Sequence, residues 1–271
     1  MLVALAGCTP APRVSPLAQE AAFARRPGET LRYVGRTEYC DSRPGGDPDR
    51  VTSARNVRYA IAFTGGDTAR AWIDAMTVER MGEVVRVDTA GPEVVGRPFT
   101  LVVDALGKDS VIAAPPLGWS EAPRFVDFFP PLPGGPLGPE KVWNDYTTLD
   151  TSDSLSIGEL TRSVVYHVVG DSAIRGTKVV VVAFDVRWYS QIRSRRAMVN
   201  PPPGVIYNTS MLQVRSGEEH GRFYFAPHTG LLMRRVRSGA ETVETPMYTS
   251  PEAAVFETRY RSTLDLVDVR R

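Results

Sequence analysis

The side chains in this 271-residue chain whose types could do chemistry are three histidines, a pair of adjacent glutamates, a run of aspartates and two groups of arginines. A metal site needs three or four ligands that converge. His167 falls within an alternating apolar run, His220 follows two glutamates beside Gly221, and His228 sits in Pro227-His228-Thr229-Gly230. His220 and His228 can approach one another across a hairpin, yet neither has a third ligand nearby in sequence, so no metal and no cofactor is expected. Glu218 and Glu219 suggest the paired carboxylates that divide acid and base roles. Neighbours on a strand point to opposite faces, however, and the two are read as solvated turn residues. Asp145, Asp150 and Asp153 lack the spacing and glycine of a calcium loop and read as polar loop. Arg193, Arg195 and Arg196, with Arg234, Arg235 and Arg237, have the forked donors that grip phosphate. They would suit anionic lipid head groups if they converged. The plainer expectation is that they are solvated at a sheet edge and discourage edge-to-edge pairing.

Catalytic signatures are missing from the sequence. It carries no nucleophile elbow, zinc-binding helix, dinucleotide turn or phosphate loop, so no catalytic residue is assigned and the chain is not expected to be an enzyme. With 32 basic and 31 acidic residues the formal charge is +1, and no aromatic-interleaved basic platform appears, so nucleic acid is not an expected partner.

The elements that must position these residues are strands. Leu31, Tyr33, Thr37 and Tyr39 alternate with polar residues, as do Val57, Tyr59, Ile61 and Phe63 before a Gly65-Gly66-Asp67 turn into 68–79. Segments 99–105 and 110–112 form another pair. Further strands are expected over 160–169 and 178–188, with Gly170-Asp171 and Arg175-Gly176 bracketing a short connection. Val179 and Val181 opposite Val180 and Val182 mark one end of the second of these as buried on both faces. Segments 222–226 and 231–236 flank a turn with Gly230 suited to positive φ. A last amphipathic strand sets Phe256, Tyr260, Leu264 and Leu266 against Glu257, Arg259, Arg261 and Asp265. This period-two pattern predicts an all-β fold.

Residues 114–139 differ: eight prolines exclude a central strand. Phe125, Phe128 and Phe129 fall at helical spacing, predicting a short helix over 121–129 whose aromatic stripe plugs the sheet or covers an apolar cavity as a lid. Phe125, Phe128, Phe129, Trp143 and Trp188 are the candidate ligand-facing residues, each also a candidate for core.

Leu5-Ala6-Gly7-Cys8, followed by Thr9-Pro10-Ala11-Pro12, resembles the lipobox of bacterial lipoproteins. The resemblance implies cleavage before Cys8, acylation of Cys8 and, with Thr9 rather than Asp next, an outer-membrane address facing the periplasm. Cys40 is then the only other cysteine, which excludes an intramolecular disulfide; it is expected to be buried or at a strand end. Residues 1–7 read as a truncated signal-peptide remnant, 8–28 as the lipidated cysteine and a flexible tether, and 29–271 as one β domain with the 114–139 insertion. The segments Phe125-Val126-Asp127-Phe128-Phe129-Pro130, Val142-Trp143-Asn144-Asp145-Tyr146 and Phe223-Tyr224-Phe225-Ala226-Pro227-His228-Thr229-Gly230-Leu231 resemble those of an uncharacterised group of envelope lipoproteins, with Ala226 where an Asp is usual. More distantly the order of elements is similar to half-barrel lipoprotein carriers, which implies a curved antiparallel sheet, a half-barrel or open barrel. The expected function is a non-enzymatic envelope protein that binds a lipid or other apolar or amphiphilic ligand in its concave face. The alternative is a structural or assembly module for an envelope protein partner. A filled interior favours the alternative, and a continuous apolar cavity favours ligand binding.

Overall fold

A computed structural model describes residues 21–40, 47, 49–80, 83–85, 95–96, 98–111, 128–150, 156–194, 212–246 and 253–271. Cys8, Phe125, Asp153, Arg195, Arg196 and most of the expected 121–129 helix lie outside them. Every regular element among the described residues is a strand: β1 (Thr30–Cys40), β2 (Val51–Gly65), β3 (Thr68–Arg80), β4 (Glu83–Val85), β5 (Phe99–Val103), β6 (Asp109–Val111), β7 (Val142–Asp150), β8 (Ser156–Ile174), β9 (Thr177–Ser194), β10 (Leu212–Ala226), β11 (Leu231–Pro246) and β12 (Ala253–Arg270). They make one antiparallel sheet in the order β6-β5-β3-β2-β1-β12-β11-β10-β9-β8-β7, with β4 beside β3. Its two end strands do not pair with each other among the described residues, so the sheet is open.

Alternation decides which face is inner. Leu31 and Tyr33 of β1, Val57, Tyr59, Ile61 and Phe63 of β2, Val164 and Tyr166 of β8, Val180, Val182 and Phe184 of β9, and Phe223 and Phe225 of β10 are all buried on one side. Together with Phe99 and Leu101 of β5 they form one continuous core. Strands at opposite ends of the order can share a core only if the sheet curls toward that face, which makes it concave. Val179 and Val181 are buried as well, so this end of β9 is covered on both sides, as its sequence suggested.

Two boundaries differ from expectation. Gly170-Asp171 does not begin a connection: the register with β9 slips between Val168 and Gly170 and pairing resumes to Ile174. The turn is Arg175-Gly176 alone, both at positive φ, the backbone of a two-residue hairpin. Asp145 and Asp150 belong to β7 rather than to a loop. The packed chain also starts before residue 29. Phe23 is buried, lies edge-on to Phe129 and Phe225 at 5.2 Å from each, and is flanked by backbone bonds from Phe23 to Ala105 and from Ala24 to Gly230. Gly230 has the expected positive φ, 68°. Cys40 ends β1 and is half-buried.

Candidate functional site

The concave face has two parts. Toward the hairpin turns it is filled by residues 128–137 of the Pro-rich segment. Phe128 stands edge-on to Tyr33 and Tyr59, with ring centres 5.0 and 4.9 Å away, and Phe129 meets Phe63 at 6.1 Å. Leu132 and Leu137 are buried beside them. The prolines leave this stretch few donors of its own, and it is fixed through others: Leu132 N–H donates to Leu106 O at 2.7 Å, and the Trp143 indole donates to Pro131 O at 2.8 Å. Trp143 also stacks on Tyr166 at 5.2 Å. Burial pushes the Tyr33 hydroxyl well above its ordinary pKa, and that hydroxyl donates to Leu232 O.

Three of the five aromatic candidates thus serve one packed unit, Phe128 and Phe129 as plug and Trp143 as its clamp. Trp188 does not join them. It lies across Gly217 farther along β9, where a Cβ would sit 2.6 Å from the indole. Gly221 plays the same part for Phe184, whose ring lies 2.7 Å from where a Cβ would be. Glycine within a strand marks such close approach.

Beyond the plug the face turns ionic, and here the sequence reading is corrected twice. Glu219 is a buried strand residue, not a solvated turn residue: it shares the inner face with Phe223 and Phe225, while Glu218 points out. Arg235 and Arg237 are not at an edge, because β11 lies between β10 and β12. Their side chains retain 6% and 12% of their exposure and that of Glu219 retains 7%. Arg235 donates to Glu219 Oε1 at 3.1 Å, Arg237 to Oε2 at 3.0 Å and the Tyr260 hydroxyl to Oε2 at 2.8 Å. Arg235 lies over the Phe184 ring and Arg237 over that of Tyr260, 5.0 and 5.8 Å from the centroids. Only Arg234 of the three faces outward, paired with Asp265 at 2.6 Å.

Between plug and ion cluster lies a cavity of about 30 Å³ lined by Gly35, Thr37, Arg55, Tyr59, Phe128 and Arg237 among others. That is room for one or two water molecules. The histidines do not converge. His220 faces outward and meets Ser238 at 2.9 Å, six residues of extended chain, about 20 Å, before the turn that holds His228.

The parity of β10 carried the missed signal: Glu219 is in phase with Phe223 and Phe225, and Arg235 and Arg237 face that row across the ladder.

No family model and no curated protein matches the chain. Among solved structures it is similar to Ail, the attachment invasion locus protein of Yersinia pestis, at 7% identity and a TM-score of 0.18, over 89% of this chain and 99% of that one.

Proposed function

We propose that the chain is a non-enzymatic, lipid-anchored protein of the bacterial envelope that acts as a structural or assembly module for an envelope protein partner. The compartment is supported by the lipobox resemblance at Leu5 to Cys8. The choice of module over carrier is carried by one observation, the filled concave face: Phe128, Phe129, Leu132 and Leu137 occupy the space an apolar ligand would take, and the void left beside them holds water at most. Twelve residues separate Cys8 from buried Ala21, a reach of at most about 45 Å, so the turn end of the sheet would face the bilayer.

The reading is tested by purifying the mature chain from membranes, measuring its intact mass and extracting it with organic solvent. The expected result is acyl groups on Cys8 and no stoichiometric extracted lipid. An unmodified Cys8 overturns the anchor, and one non-covalent lipid per chain overturns the module. The second outcome would favour the other reading, amphiphile binding in the concave face. One feature suits it: the plug is a single segment whose described ties to the sheet include only a few hydrogen bonds, so an acyl chain could replace Phe128 and Phe129.

A further inference from the structure

The plug is itself held by a second piece of chain, the strap of residues 21–26 that precedes β1. The strap bridges the plug and three turns of the sheet. Ala21 N–H donates to Gly135 O at 3.4 Å, Phe23 N–H to Ala105 O at 2.8 Å and Ala24 N–H to Gly230 O at 2.9 Å, while Arg25 donates to Val103 O at 3.4 Å and pairs with Asp67. The ring of Phe23 lies between Phe129 of the plug and Phe225 of β10. Gly107 seats both segments at once: a Cβ there would stand 2.7 Å from the Phe23 ring, 2.8 Å from Phe129 O and 2.9 Å from Pro130 O. Neither 21–26 nor 128–137 belongs to a strand, and neither takes part in the pairing of β1 with β2 and β12.

We propose that strap and plug are one closure, which leaves the concave face as a unit while the sheet stays paired, and that the aromatic surface beneath them is a cryptic site for an apolar molecule. The shared ring sets the coupling. Lifting the plug strips Phe23 of one of its two aromatic neighbours, and releasing the strap takes from the plug the edge contact at Phe129 and the bond at Gly135. Each part therefore opens more readily once the other has opened, and such coupling is reciprocal. Local openings begin where ladder bonds are fewest, and Pro130, Pro131, Pro133 and Pro136 leave the plug few amides to bond. Lifting both segments would uncover Tyr33, Tyr59, Phe63 and Phe225, whose rings they now meet. The apparent affinity of the uncovered site scales with the fraction of chains that are open. The inference goes beyond the module reading and needs neither anchor nor compartment.

The test uses the full chain with Cys8→Ala and native-state hydrogen exchange resolved by NMR. The amides of Phe23, Ala24 and Leu132 should share one protection factor, at least about tenfold below those of β1 and β2. Ala24→Pro removes the bond to Gly230 without touching the plug, and should lower protection at Leu132 by about tenfold or more. Phe129→Ala, made on the plug, should do the same to the Ala24 amide. The apolar dye N-phenyl-1-naphthylamine, which brightens out of water, should bind Ala24→Pro more tightly than the wild type by the factor by which Leu132 protection falls, because both read the open fraction. A Leu132 amide as protected as those of β1, or one unmoved by Ala24→Pro, would overturn the closure, the second by showing that other parts of the chain hold the plug without the strap. An Ala24 amide unmoved by Phe129→Ala would do so too. Unchanged dye affinity alongside a fall in Leu132 protection would overturn the cryptic site.

Discussion

Two ionic networks lie on opposite faces of the same sheet, one on β10 to β12 and the other on β12, β1 and β3. On the concave face Glu219 takes hydrogen bonds from Arg235, Arg237 and Tyr260; on the convex face Glu38 takes them from Arg261 at 2.6 Å and Arg36 at 3.0 Å, and Arg36 continues to Glu79 at 3.1 Å. The residue types are nearly the same, two arginines around one central glutamate. Their surroundings are not: Arg36 and Arg261 keep 40% and 53% of their side-chain exposure, against 6% and 12% for the inner pair. In water the two ions lose little by separating. Inside, each has given up hydration worth several kcal/mol, recovered only while the partner is present. Pairing on the convex face is therefore a minor addition, whereas on the concave face each buried charge is tolerated only while its partner is there.

The contrast can be broken most sharply at Glu219. Glu219→Gln leaves two buried guanidiniums without their carboxylate and should cost about 3 to 5 kcal/mol, read as a lowered urea midpoint with unchanged m. Replacing the set together sharpens the same point: Glu219→Leu with Arg235→Met and Arg237→Leu should fall anywhere from near wild type to about 4 kcal/mol more stable. A loss as large as that of the single variant would show that the cluster has a packing role beyond charge. Gly221→Ala comes next. Its Cβ would stand 2.3 Å from Val236 O and 2.7 Å from the Phe184 ring on which Arg235 rests, so overpacking should cost roughly 1 to 3 kcal/mol.

The smallest effect is expected at Glu38→Gln, below about 1 kcal/mol at neutral pH, and it carries a pH signature. Hydrogen bonding from Arg261 first, and from Arg36 after it, holds the Glu38 carboxyl below the usual carboxylate range. A lowered folded-state pKa gives stability that is full above the unfolded value, about 4.3, and lost as pH falls through the lower folded value. The wild type and Glu38→Gln should therefore converge in stability in strong acid. Molar salt should likewise erase the Glu38 difference while leaving that of Glu219.

The strand pattern was legible because alternation is a property of neighbours. Leu31 and Tyr33, or Phe223 and Phe225, announce their face without reference to anything distant. What alternation does not encode is how far along a strand the core extends. Phe256 has the inner-face phase of Leu264 and Leu266, yet it is 57% exposed, because β12 runs past the region the plug reaches. Glu219 shows the converse. Its composition reads as solvent, and only pairing with β11 brings in the arginines that make its burial tolerable. Phe23 was illegible for a third reason: it is held by side chains from Phe129 and Phe225, more than a hundred residues away, with no local periodicity to betray it. The aromatic candidates 128 and 129 were found because proline density itself singled out their segment, and Trp143 because Val142 to Tyr146 resembles a Trp-bearing strand of envelope lipoproteins.

The docking of residues 21–26 matters in mechanical terms. Any force transmitted along the chain from the N-terminal side reaches these residues before it reaches β1. It would load the Phe23–Ala105 and Ala24–Gly230 hydrogen bonds and the Phe23 ring between its two neighbours. Those ties are separate from the pairing of β1 with β2 and β12, so this short docked stretch would be loaded before the sheet is.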